Sequence, residues 1–227
     1  MKNVNVAVDG PAGAGKSTIS RAVAKKLGYI YIDTGAMYRA CALFAIENKL
    51  EISSEGLKNE LDSIKIDIRY TDEGQRIYLC GRDVSERIRE PDVSIGASDI
   101  ATVPEVRIKL VELQRELARG NNVIMDGRDI GTYVLPDADV KIFLTASVDE
   151  RAKRRFEELK TKSVNADYEQ VKRDMVYRDK NDSEREFAPL RRADDAVLID
   201  TTELDFDAAV GAVLDAVAVS QKRKEMK

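Results

Sequence analysis

Histidine is absent from this chain of 227 residues, and cysteine occurs only twice. The lack of histidine removes the commonest general base and the commonest metal ligand. Cys41 and Cys80 form neither a metal-binding spacing nor a disulfide framework. We expect both cysteines to be small core or surface residues rather than reactive thiols. Any chemistry must therefore proceed without imidazole.

Long apolar runs and an excess of basic charge are also lacking. No apolar run approaches membrane-spanning length and the start has no signal-peptide pattern, which predicts a cytoplasmic protein without a membrane partner. The formal net charge is −4, and basic residues are mixed with acids along most of the chain, which argues against a nucleic-acid partner. A chain of this length suits one α/β domain with insertions.

A complete phosphate-binding loop lies between an apolar run and a helical pattern. Its backbone N–H groups would face an anion, aided by the positive end of the following helix. Lys16 would reach the β and γ phosphates, and the Ser17 hydroxyl would bind Mg²⁺. The strand, loop and helix context argues against a mere glycine-rich turn, so we expect a user of nucleoside triphosphates. The predicted loop residues are Gly10, Pro11, Ala12, Gly13, Ala14, Gly15, Lys16, Ser17 and the adjacent Thr18.

The apolar pattern predicts alternating strands and helices. Helices are expected from the loop to Leu27, then over residues 36–47, from a capping box at Thr102 and Glu105 to Gly120, from Ser147 and Glu150 onward, and over 205–219. Residues 64–79 alternate as an antiparallel hairpin with a turn at 71–74, and 221–227 are expected to be a solvated tail. Parallel strands are predicted at residues 4–8, 29–32, 122–125, 141–144 and 196–199.

Charged residues cluster where such a sheet places its ligands, at the carboxyl ends of strands. Asp126 ends a buried strand, as Mg²⁺-associated carboxylates do. Arg39 and Arg128 are candidates for a bidentate grip on a second phosphate, although each alone suits a surface salt bridge. Two further sets have helical spacing and suit either a cationic lid or a solvated helix. These sets are Arg151, Arg154 and Arg155, and Arg178, Asp182 and Arg185.

Over essentially its whole length the chain resembles bacterial cytidylate kinases, of the nucleoside monophosphate kinase group. The loop motif is shared by many enzymes, whereas the other segments in combination are specific to this family. The resemblance rests on residues 9–18, 33–39, 126–131, 140–144, 150–155, 178–185 and 188–190.

The resemblance implies a P-loop kinase fold of class α/β, with a central parallel sheet flanked by helices. A small antiparallel β lobe would be inserted on the monophosphate side, and a helical region would form a lid. The single domain at 1–227 would comprise a core at about 1–61, 102–147 and 188–220, an insertion at about 62–101 and a lid at about 148–187.

The resemblance also implies transfer of the ATP γ-phosphoryl group to CMP or dCMP by a monomer that requires Mg²⁺. Ser17 and Asp126 would bind the metal, and Arg151 and Arg155 would join the loop around ATP. The expected catalytic residues are Lys16, Arg128, Arg154 and Arg185.

The same resemblance assigns the acceptor site. Arg39 and Arg128 would hold the CMP phosphate, with Arg185 near the transferred group. The cytosine edge would be read by Ser98, Arg107 and Asp129, and the sugar by Arg178 and Asp182. A carboxylate such as Asp129 can accept from the cytosine amino group. The expected substrate-binding residues are Thr34, Tyr38, Arg39, Ser98, Arg107, Arg128, Asp129, Arg178, Asp182 and Arg185.

Two departures and two alternatives accompany this assignment. Ala12 stands where some relatives have serine, and Thr34 replaces a common serine but keeps its hydroxyl. One alternative is a kinase for another monophosphate or a small metabolite. The other is a GTPase-type switch, which needs an Asn-Lys-x-Asp motif after a strand. The nearest sequence, at residues 48–51, lacks the aspartate and follows a helix.

Overall fold

A parallel sheet of five strands forms the centre of the computed structural model, which describes residues 3–71 and 74–225. The strand order is β2-β6-β1-β7-β8, and β1 is fully buried at Val6, Ala7 and Val8, as expected for a sheet covered on both faces. The register places Val8 opposite Asp126. The strands are β1 (Asn5–Asp9), β2 (Ile30–Asp33), β6 (Val123–Gly127), β7 (Val140–Thr145) and β8 (Val197–Asp200).

Helices cover both faces of this sheet and bury two apolar clusters against it. One cluster joins α2, α4 and α5 to the sheet, and the other joins α1 and α8 to the opposite face. Gly28 ends α1 in the left-handed conformation, with φ of 67°, as its position predicted. The helices are α1 (Lys16–Leu27), α2 (Thr34–Glu47), α3 (Ser54–Lys58), α4 (Pro91–Ile100), α5 (Pro104–Ala118), α6 (Val148–Thr161), α7 (Tyr168–Glu184) and α8 (Phe206–Glu225).

A second, antiparallel sheet interrupts the alternation of strands and helices, as predicted. Its strands are β3 (Ile66–Thr71), β4 (Gly74–Leu79) and the short β5 (Arg82–Asp83), which the sequence pattern did not indicate. Ile68 pairs with Ile77 across the hairpin. Residues 72 and 73 of the predicted turn lie outside the described residues. The apolar face of β4 joins the cluster around α2, which attaches the hairpin to the core.

The structure corrects two local predictions. The capping box at Thr102 and Glu105 is wrong, because Pro104 occupies the first helical position of α5 and moves the helix start one residue onward. The Thr102 hydroxyl donates instead to the Asp99 carbonyl, and Glu105 accepts from Ser54. The expected solvated tail is helical over 221–225, where α8 continues. Residues 226 and 227 lie outside the described part of the chain.

The structure also bears on the expectations about membrane-spanning segments and cysteines. None of the helices there is both long and apolar enough to cross a membrane. Cys41 is buried and Cys80 is exposed, and both are free thiols.

Candidate active site

The phosphate-binding loop passes close over the sheet, at the carboxyl end of β1. A Cβ on Gly10 would lie 1.9 Å from the Leu144 carbonyl oxygen of β7, so only glycine fits there. Lys16 follows the loop at the start of α1, and its ammonium donates to the Pro11 carbonyl at 2.7 Å. Burial and the neighbouring Arg128 lower the pKa of Lys16 to about 7. The loop and its lysine are therefore held ready for an anion.

A pair of oxygen ligands lies beside this loop. The Ser17 hydroxyl donates to Oδ2 of Asp126 at 2.7 Å, and the Tyr31 hydroxyl donates to Oδ1 at 3.1 Å. Burial and the nearby Asp33 raise the pKa of Asp126 to about 6. Within residues 3–71 and 74–225, no group of three His, Cys, Asp or Glu side chains could hold a metal alone. One hydroxyl and one carboxylate suit Mg²⁺, which commonly binds a few protein oxygens together with phosphates and water.

The loop opens into a cavity of about 440 Å³ that extends toward α4 and α7. Basic side chains outnumber acidic ones in its lining, eight to five. The basic residues are Lys16, Arg39, Arg89, Arg128, Arg154, Arg155, Arg178 and Arg185. The acidic residues are Asp33, Asp126, Asp129, Glu158 and Asp182. This lining suits a ligand with several negative charges.

Three arginines in the cavity lining, Arg39, Arg128 and Arg178, form a second group of cations. Arg39 pairs with Asp33 at 3.0 Å, and Arg128 pairs with Asp182 at 2.6 Å. Burial and Arg128 lower the pKa of Arg178 to about 10. Among the described residues, the Nε groups of Arg39 and Arg178 have no hydrogen-bond partner. Buried donors of this kind are costly unless a ligand accepts from them.

Asp129 lies at the centre of a buried polar group in the same cavity. Its carboxylate accepts from Arg107 at 2.5 Å and from Arg185 at 3.2 Å. Ser98 also lines the cavity, and its buried hydroxyl has no partner among the described residues, as is true of Tyr38. Arg107 is fully buried behind Asp129 and does not line the cavity. Of the three residues predicted to read the base, Ser98 and Asp129 therefore line the cavity, whereas Arg107 lies behind Asp129 and pairs with it.

The side chains of the three predicted arginines of α6 do not lie on one surface of the helix. Arg151 is buried behind the phosphate loop, where it donates to the Ala12 carbonyl at 3.0 Å and pairs with Asp179 at 2.7 Å. Arg154 and Arg155 line the cavity. This separation arises because Arg151 lies near the start of α6, directly beneath the loop.

The second predicted set follows α7. Arg178 and Asp182 lie one turn apart on the helix, which persists to Glu184 as the spacing required. Arg185 caps the helix end, and its Nε donates to the Ala188 carbonyl at 2.8 Å. All three side chains reach the cavity.

The predicted site residues leave out several polar residues of this site, among them Asp33, Tyr31 and Arg89. Asp33 caps α2 by accepting from Ala36 and pairs with Arg39. Its position at the end of β2, opposite Asp126 on β6, is where the parallel-sheet rule places ligands. Tyr31 and Arg89 had no comparable signal, because their roles depend on packing between distant segments.

Comparisons with known proteins agree on one family. The family model described as Cytidylate kinase matches residues 6–219. The cytidylate kinase of Caldicellulosiruptor saccharolyticus is 54% identical over 216 residues, which cover 95% of this chain and 96% of that protein. The cytidylate kinase of Lactobacillus johnsonii is 49% identical over 220 residues, covering 96% of each.

A solved structure supports the fold. The gluconokinase from Sinorhizobium meliloti 1021 has a TM-score of 0.51 at 13% sequence identity, covering 99% of this chain and 97% of that one. With the phosphate loop and the five-stranded sheet, this likeness establishes a P-loop kinase fold. On the family model and the relatives together, the chain belongs to the cytidylate kinase family.

Proposed function

We propose that this protein transfers the γ-phosphoryl group of ATP to CMP or dCMP, giving ADP and the corresponding diphosphate. The observation that carries the proposal is one cavity whose lining includes both the phosphate loop and the residues Ser98 and Asp129. Family membership supports the same assignment.

The donor side binds and orients ATP. The loop N–H groups and Lys16 hold the β and γ phosphates, and Arg154 and Arg155 approach from α6. Ser17 and Asp126 would hold Mg²⁺, which supplies neutralisation of charge on the phosphate oxygens when bound. Arg151 supports the loop through the Ala12 carbonyl.

The acceptor side binds the monophosphate. Arg39 and Arg128 hold its phosphate, while Arg178 and Asp182 contact the sugar. Asp129 accepts from the cytosine amino group, and the unpartnered Ser98 hydroxyl is available to the base. Thr34 and Tyr38 complete this side of the cavity. Uracil carries an oxygen where cytosine carries the amino group, so the Asp129 carboxylate disfavours it.

Transfer requires alignment more than covalent chemistry by the protein. A phosphate oxygen of the acceptor attacks the γ phosphorus as the bond from that phosphorus to the ADP oxygen breaks. Lys16, Arg128, Arg154 and Arg185 stabilise the negative charge that spreads over the transferred group.

These roles divide the chain into a core, an insertion and a lid. We propose a core at about 1–61, 102–147 and 188–220, a monophosphate-side insertion at about 62–101 and a lid at about 148–187. The phosphate loop and the acceptor residues Arg128 and Asp129 line one cavity of this chain, and we propose that the active form is a monomer.

The test is a coupled assay of ADP formation with ATP, Mg²⁺ and a panel of monophosphates. We expect CMP and dCMP to be the best acceptors. The variant Lys16→Ala should fold normally, but its turnover should fall by at least about 100-fold. This is the loss that follows removal of one preorganised group that stabilises charge in a transition state. Turnover of AMP or GMP without turnover of CMP would overturn the proposal.

A further inference from the structure

Asp9 is a buried carboxylate that does not line the cavity. It ends β1 and directly precedes Gly10, the first residue of the phosphate loop. Its Oδ1 accepts from the backbone N–H of Ile130, and its Oδ2 accepts from that of Gly131, both at 2.7 Å. Both carboxylate oxygens are therefore committed to one distant segment.

That segment begins a π-helical turn, Ile130–Val134. The first N–H groups of a helical turn have no acceptor within the turn itself. Asp9 supplies acceptors for two of them from another strand, 121 and 122 residues away in sequence. Its carboxylate thus caps the turn and fixes where the turn begins.

Asp129 immediately precedes the two capped residues. Its backbone, with φ of −144° and ψ of 26°, connects β6 to the turn. Because the next two N–H groups are anchored, the position of the Asp129 carboxylate between Arg107 and Arg185 depends on this anchor.

Burial of Asp9 has a cost. It raises the pKa of this carboxyl to about 7, although the bonds from Gly131 and Ile130 act in the opposite direction. Because burial disfavours the ionised form of Asp9, keeping this carboxyl charged lowers the free energy of unfolding. This cost falls where β1 passes into the phosphate loop and where the turn after Asp129 needs two acceptors.

We propose that Asp9 is a positioning residue for acceptor recognition: it holds the Asp129 segment in register with the phosphate loop. The inference rests on the proposed function of this site. Removing one of the two bonds would loosen the base-reading carboxylate while the loop N–H groups and Lys16 stay in place.

The test is Asp9→Asn. The amide retains one acceptor oxygen and presents a donor to the second N–H, so one bond is lost at nearly constant shape. We expect KM for CMP to rise about 5- to 150-fold, the equivalent of about 1–3 kcal/mol for an unsatisfied buried donor. The dissociation constant of a non-hydrolysable ATP analogue should rise less than KM for CMP does, because both N–H groups that Asp9 accepts belong to the Asp129 segment and neither belongs to the phosphate loop. The CMP to UMP ratio of kcat/KM should also fall.

The matched control is Asp205→Asn. Asp205 also accepts a backbone N–H, that of Ala208, but at the exposed start of α8, so its variant should behave like the unmodified protein. If Asp9→Asn does not fold, Gly131→Ala tests the same contact from the other side. Its Cβ would lie 3.3 Å from Oδ2 of Asp9 and 3.1 Å from Cδ of Lys141, and it should raise KM for CMP selectively.

The outcomes separate this inference from the function on which it rests. A folded Asp9→Asn variant with unchanged KM for CMP overturns the positioning role, as does an equal loss of affinity for CMP and the ATP analogue. Failure of the unmodified protein to bind CMP would instead overturn the proposed function.

Discussion

Asp129 is held between Arg107 and Arg185, and this arrangement decides how its role in base choice can be tested. Arg107 is fully buried. Truncating Asp129 to alanine would leave that guanidinium uncompensated, at a cost of about 3–5 kcal/mol. Asp129→Asn keeps the shape and one acceptor oxygen, so it separates recognition from folding better than alanine does.

We expect Asp129→Asn to narrow the preference for CMP over UMP. The carboxylate accepts from the cytosine amino group and repels the uracil oxygen, whereas the amide can donate to that oxygen. The ratio of kcat/KM for CMP to that for UMP should fall about 5- to 150-fold, from about 1–3 kcal/mol of lost discrimination. Steady-state assays with each acceptor at saturating ATP would measure the ratio.

The control for this change is Asp174→Asn, a half-buried aspartate on α7 that accepts from Gln170 and does not line the cavity. Its ratio should equal that of the unmodified protein. Equal losses of CMP and UMP activity in Asp129→Asn, with the ratio unchanged, would mean that Asp129 only orders the arginines around it.

Individual site residues differ in how far the sequence could reveal them. Lys16 and Ser17 were predictable because the loop motif contains its own geometry within a few residues. Arg128 alone suited a surface salt bridge, and its partner proves to be Asp182 on α7, which is buried. That pairing depends on how two distant segments pack, which no local spacing encodes.

Elements of secondary structure likewise differ in whether the local sequence predicts them. The five parallel strands were predictable because burial on both faces requires continuous apolar runs. The helix α4 was not, because its buried face consists largely of small residues such as Ser94, Gly96 and Ala97, which give a weak helical pattern. The turn at Ile130–Val134 depends on the distant Asp9 for its cap, so local sequence carried no sign of it.

The helices α6 and α7 are expected to respond to nucleotides as a unit. Arg151 ties them together through Asp179, and Tyr177 and Asn181 of α7 donate to Asp99 of α4, at 2.8 and 3.1 Å. These contacts connect the ATP side of the cavity to the monophosphate side. Closure over both ligands would add contacts from Arg154 and Arg155.

Hydrogen exchange tests this response. With an ATP analogue and CMP both bound, amides in α6 and α7 should exchange about 5- to 150-fold more slowly than in the free protein, the range for a coupling of about 1–3 kcal/mol. The control element is α8, which packs on α1 away from the cavity, and its exchange should slow less than that of α6 and α7, only as far as the whole chain is stabilised. Equal protection of α6 and α7 with and without ligands would contradict a lid role.

The distribution of charge over the whole molecule is opposite to that of its cavity. The chain carries a formal net charge of −4, whereas basic side chains outnumber acidic ones in the cavity. Mutual repulsion persists among the cations there: beyond the effect of burial, Arg128, Arg39 and Arg155 lower the pKa of Arg178. A polyanion would relieve this repulsion, so ligand binding and folding stability should be linked.

Thermal unfolding measures that linkage for the entire chain. A ligand at about 100 times its dissociation constant adds about 2.7 kcal/mol of stability, and each kcal/mol raises Tm by about 2–4 °C for a domain of this size. We therefore expect CMP with an ATP analogue, each at such a concentration, to raise Tm by at least about 5 °C.

Potassium chloride at equal ionic strength screens charge without occupying the cavity, and cytidine lacks the phosphate that Arg39 and Arg128 would bind. Both should shift Tm much less. Stabilisation by cytidine equal to that by CMP would show that these arginines do not hold the acceptor phosphate.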